Sequence, residues 1–150
     1  MSTVRRLLPD IEGRQLLVVD AVGTAALALV TVVSAASDAD AVQILNLVVA
    51  GVLFLGGCVG FGVGFLRAVG RSRTETVDLA GLFYLTASAP KAARRAFLGL
   101  WFAQIAIAVI AIPLTKPPFA VMAPVWGIGL ITWWASAHAT FPPRADGTRH

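Results

Sequence analysis

The sequence predicts an all-α polytopic membrane protein: four transmembrane helices as two hairpins, with a short interfacial helix in the loop between them. Composition is the first observation behind this. Of the 150 residues, 57% are hydrophobic and 13% are charged, and the mean hydropathy is +0.79, whereas about a quarter of a soluble domain is charged. Second, the apolar residues gather in four runs near the ~20 residues that cross a bilayer. Third, one run carries glycines at a spacing that suits lipid better than water.

That run is residues 51–67, GVLFLGGCVGFGVGFLR, in which Gly56, Gly60 and Gly64 recur at every fourth position with Ala68 next. On a helix they form one ridge without side chains. Each glycine costs a helix about 1 kcal/mol against alanine, but in lipid the ridge lets a neighbouring backbone approach closely enough for extensive van der Waals contact. Gly99 and Ala103 supply a second small-xxx-small pair on the third run.

Taken in order, residues 1–14 are a short tail in which Arg5, Arg6 and Arg14 face Asp10 and Glu12, with Pro9 breaking any long helix. The first span is residues 16–36, whose only charge is Asp20. Residues 34–36, SAA, resemble a signal-peptide cleavage site, but the run exceeds the ~7–15 residues of a signal core, so a span is expected. After a short acidic turn the second span is residues 42–66, with Gln43 and Asn46 near its start.

Residues 67–95 form the longest polar segment. Ser72 and Glu75 have capping-box spacing for a new helix, and residues 77–85 make a short amphipathic piece. Its Leu79, Leu82, Phe83 and Tyr84 suit the headgroup boundary, with the Tyr84 hydroxyl in the wet layer. Ser88 and Pro90 read as an N-cap and first-turn proline. A cationic entry containing Lys91, Arg94 and Arg95 leads into the third span, residues 96–113. Pro113, Pro117 and Pro118 close it, and residues 119–141 form the fourth, with Pro124 expected to kink it or to end its first turn. Residues 142–150 are expected to be a disordered tail.

Eleven of the twelve basic residues fall in the N-terminal tail, the central loop or the C-terminal tail, and only Lys116 lies elsewhere. By the positive-inside rule, both termini and the central loop are expected to be cytoplasmic. The net charge of +4 then points to lipid headgroups, not to nucleic acid.

Few residues carry chemistry. An acid within a span costs ~2.5–3.5 kcal/mol at the bilayer centre, so Asp20 has two readings: an ion pair near the inner interface with Arg14, Arg67 or Arg95, or a proton- or cation-coupling group facing the bundle interior. Asn46 and Gln104 need partners that lipid does not offer and read as interhelical glue. Tyr84, Trp101, Trp133 and Trp134 read as interface anchors, Trp126 as packing, and His138 as a satisfied or solvated interfacial side chain. The one cysteine, Cys58, makes neither an internal disulfide nor a thiolate cage. With no nucleophile pair, metal-spaced cluster or Walker loop, the expectation is no catalytic residue, no metal, no cofactor and no enzyme.

Two passages, VDLAGLFYLTASAPK at 77–91 and HATFPPR at 138–144, together with the Ala/Val/Gly/Arg bias, resemble small four-span membrane proteins of actinobacteria whose function is unassigned. That resemblance implies an accessory subunit of a respiratory or cell-envelope complex and carries no catalytic residue. The leading expectation is therefore a non-catalytic accessory or scaffold subunit, with the lipid bilayer and other membrane-protein subunits or further copies of itself as partners. The other is a small proton- or cation-coupled homodimeric transporter using Asp20. It is similar to small multidrug transporters in span number and first-span acid, but differs in its longer chain and large central loop.

Overall fold

A computed structural model describes residues 11–145. The expectations for residues 1–10 and 146–150 lie outside them. Helix α1 is Arg14–Ala36, α2 Asp40–Arg71, α3 Leu79–Phe83, α4 Lys91–Leu114 and α5 Pro124–His138, with one turn of 3-10 helix, Phe119–Met122, before α5. Four units are long and apolar enough to cross a membrane: α1, α2, α4, and α5 taken together with that 3-10 turn. Pro124 stands at the first position of α5, where its missing N–H costs nothing, so it starts the helix and does not kink it.

The polar side chains of the spans lie inside among apolar ones, and large apolar side chains cover the outside. The buried seam of α1 includes Leu17, Asp20, Thr24, Leu27, Thr31 and Ser34, steps of three and four residues, while Val22, Leu29 and Val32 face outward. The seam of α2 runs Asn46, Ala50, Leu53, Gly57, Gly60, Gly64 and Ala68. Outward apolar side chains of this kind would be costly in water; in lipid they meet their like, and Asp20, Thr24, Ser34 and Asn46 find hydrogen-bond partners within the bundle. Alternating steps of three and four average about 3.5 residues, close to the ~3.6 of one turn, so the seam drifts only about 20° per seven residues.

The two hairpins interlock. α5 packs on α1, α2, α3 and α4, and its most extensive contact is with α2, from the other hairpin. That contact is made of backbone: a Cβ built on Gly57 would run into the Val125 carbonyl, one on Gly60 would lie 3.1 Å from the Gly129 oxygen, and one on Gly64 would lie 2.6 Å from Thr132. Gly129 answers from α5, where a Cβ would collide with the Gly57 carbonyl. The ridge is thus Gly57, Gly60 and Gly64. The expected member Gly56 sits to one side under the Trp126 ring, because a strict four-residue row drifts around the helix.

The polar end is more ordered than expected. α2 continues to Arg71 and Ser72 is its C-cap, so the capping-box reading of Ser72 and Glu75 fails; the cap of α3 is Asp78, accepting from the Gly81 N–H at 2.9 Å. Nor does Ser88 cap α4. Its hydroxyl donates to the Gly81 carbonyl at 2.6 Å, and Pro90 occupies the cap position. α5 ends at His138, three residues before the expected end of the span, and the chain then turns back onto the loop. Thr140 N–H donates to Ser88, Thr76 N–H to Pro142, and Arg144 N–H to Thr74, at 2.7–2.9 Å. Residues 142–145, expected in the tail, therefore belong to the fold.

Arg71 ties this end together. Its guanidinium donates to the carbonyls of Ala135, Ser136 and Ala139 at 2.9–3.3 Å, lies 2.6 Å from Glu75 Oε2, and sits 5.0 Å from the centre of the Phe141 ring. Three of those contacts meet carbonyls at the negative dipole end of α5.

Candidate functional site

Among the described residues Asp20 is the acid buried within a span, and it lies at the meeting point of three helices. Asp20 is fully buried on α1, about 9 Å along the helix from Arg14 at 1.5 Å per residue. Its Oδ1 accepts from Gln104 Nε2 of α4 at 2.8 Å, and Gln104 Nε2 also donates to Thr24 Oγ1 at 2.8 Å. The Thr24 hydroxyl turns back to the Asp20 carbonyl at 2.8 Å. On its other side Gln104 Oε1 accepts from the Gly127 N–H of α5 at 3.0 Å. Gly127 stands in the first turn of α5, where N–H groups lack an intrahelical acceptor, so one glutamine side chain caps α5 and joins three helices. Trp101 Nε1 supports the same junction by donating to the Pro124 carbonyl at 3.2 Å.

The second Asp20 oxygen is buried and has no protein partner. Asp20 thus corrects the interfacial reading: its bond is to a neutral amide in the bundle interior, not to the guanidinium of Arg14, Arg67 or Arg95. Proton or cation binding is the chemistry that the second oxygen makes available, since carboxylate oxygens are acceptors until protonated.

Asn46 does not join this group. Its Nδ2 donates to Ser34 Oγ at 3.2 Å, and Ser34 in turn bonds Gln43 Oε1 at 3.0 Å, closing the α1–α2 hairpin at the opposite end. Both amides thus link helices, at separate places. Among the described residues no group of three or more His, Cys, Asp and Glu side chains comes together to hold a metal. Cys58 is exposed on α2.

The aromatic residues divide. Tyr84 is 48% exposed and its ring lies 6.0 Å from that of half-buried Trp101. Trp133 is half-buried. Trp134, expected as an anchor, is a core residue instead, 1% exposed, with its ring 5.5 Å from Phe97 and its N–H donating to the Glu12 carbonyl at 2.7 Å. His138 stands beside it, Nδ1 3.6 Å from Glu12 Oε1.

This chain matches no family model, no curated protein and no solved structure. Its site therefore has to be read from its own geometry.

The second small-residue pair behaves unlike the first. Gly99 is exposed, and a Cβ there would meet nothing within 4 Å. Ala92, Ala96, Gly99, Ala103 and Ala106 follow one another at steps of four and three residues, on a face of α4 turned away from its buried residues Ala93, Phe97, Gln104 and Ala108, with Ala92, Gly99 and Ala106 exposed and Ala96 and Ala103 half-buried. The sequence reading found only Gly99 and Ala103, because it looked for one four-residue step and not for the alternating row. It also missed Gly127 and Gly129, whose partners lie more than twenty residues away.

Proposed function

We propose that this chain is a non-catalytic accessory or scaffold subunit of a membrane complex, and that it joins its neighbour through the outward face of α4. One observation carries the reading: Gly57, Gly60 and Gly64 of α2 are covered by α5, whereas on α4 Ala92, Gly99 and Ala106 are exposed and Ala103 between them is only half-buried. A row of that kind pays off in lipid only when another helix lies along it, since association there depends on close packing. A respiratory or cell-envelope complex is the setting that the family resemblance suggests. The same resemblance suggests a bacterial plasma (inner) membrane, and the basic residues favour the 67–95 loop and both termini on its cytoplasmic side. Native purification in mild detergent tests this. The wild-type chain is expected with a stoichiometric partner or a second copy, and Gly99→Leu is expected to release it as a folded single chain. Association undiminished in Gly99→Leu overturns the reading.

A second reading rests on the partnerless Asp20 oxygen: a small proton- or cation-coupled transporter. An ionisable side chain inside a bundle is by default a functional position. Asp20→Asn keeps an acceptor for Gln104 and removes the titratable group. In proteoliposomes this variant is expected to abolish ion flux with the fold retained, and equal flux in wild type and variant excludes the reading.

A further inference from the structure

On the side of the bundle where α3 lies, Phe61 of α2, Phe83 and Tyr84 at the end of α3, Trp101 of α4 and Ile128 of α5 line an open cleft of about 280 Å³. The Phe61 and Phe83 rings stack at 5.8 Å and those of Tyr84 and Trp101 lie 6.0 Å apart, so both walls are aromatic. Arg94 is tied to the Tyr84 wall from outside the lining. Its Nε donates to the Tyr84 carbonyl at 3.1 Å, and it precedes Trp101 by seven residues on α4, hence on the same face and about 10 Å nearer the polar end. That bond uses one of five guanidinium donors. Lys91 and Arg95 stand exposed beside it. The nearby acids are engaged, Glu75 with Arg71 and Asp78 with the Gly81 N–H.

We propose that this cleft is a binding site for one anionic phospholipid, with an acyl chain between the aromatic walls and the phosphate on Arg94. Charge complementarity selects this occupant. A partner helix would fill the cleft equally well, but would leave an arginine with free donors beside the Tyr84 wall. A phosphate diester matches both the charge and the planar fork of a guanidinium, and its acyl chain matches the apolar cleft below. Tyr84 places a hydroxyl at the boundary between the two, where amphipathic rings settle. This inference does not depend on the α4 row or on Asp20, neither of which borders the cleft.

Native mass spectrometry of the purified full chain, titrated with phosphatidylglycerol or phosphatidylcholine, tests it. The wild-type chain is expected to retain one phosphatidylglycerol in preference to phosphatidylcholine. Arg94→Gln is expected to weaken that retention by about tenfold, the effect of removing one charge-assisted hydrogen bond. Arg67→Gln, an exposed cation at the same end on α2, is the control and is expected to match wild type. Position 94 is exposed, so the variant folds; its helix content is checked by circular dichroism. Equal retention in Arg94→Gln and Arg67→Gln, or equal affinity for the two lipids, overturns the proposal.

Discussion

The ridge of α2 and the row of α4 are built from the same kinds of residue and have opposite fates. On α2, Gly57, Gly60 and Gly64 are pressed against the backbone of α5, with no space for even a methyl group at Gly57. On α4, Gly99 faces open space. What distinguishes them is the partner. α5 brings Gly129 to meet Gly57, and it is held at both ends, by Gln104 bonding Gly127 near its start and Arg71 bonding the carbonyls near its finish. Small residues permit close approach, and directional bonds decide which helix makes it.

Three substitutions sharpen or break this contrast. The largest effect is expected at the ridge itself. Gly57→Leu drives a side chain into the Val125 backbone, and because a backbone cannot rotate away, the loss should exceed the ~1–3 kcal/mol of ordinary overpacking. Denaturation in mixed micelles should show α5 detached, while Gly99→Leu unfolds at the wild-type midpoint; similar losses in the two would erase the distinction. Next comes Gln104→Leu, which strands the Gly127 N–H and the Asp20 carboxyl at once. About 1–3 kcal/mol per stranded group is expected, read as a lower unfolding midpoint. The smallest is Arg71→Gln at the half-exposed polar end, where one neutral amide replaces several charged contacts. About 1–2 kcal/mol is expected, together with faster amide exchange over residues 139–144. If exchange there is unchanged, the Arg71 contacts do not hold the end of α5.

The four helices were legible because each is a long apolar stretch bounded by prolines or charges, a property of neighbouring residues. What escaped depends on residues far apart in the chain. Asp20 and Gln104 were both visible as polar intrusions, yet nothing in their spacing says that they meet, and Arg14, Arg67 and Arg95 were closer in depth and opposite in charge. Ser72 and Glu75 had the spacing of a helix start, but Arg71 claims Glu75 and α2 simply runs on. Trp134 was assigned to the surface by its position near the end of a span, and its burial depends on Phe97 and on the chain at Glu12. The order of residues 140–144 rests on carbonyls of the loop, which no local pattern announces.

The lateness of α5 in the chain has a consequence for biogenesis. When a ribosome has delivered α1 to α4, the trough along Gly57, Gly60 and Gly64 is still lined by lipid, Gln104 Oε1 has yet to find its donor, and Arg71 lacks the carbonyls at the end of α5. The four spans are therefore locked together only once α5 is made. A transcript cut short before Pro124 would yield a chain inserted in the bilayer yet unfinished, the kind of product that membrane proteases remove.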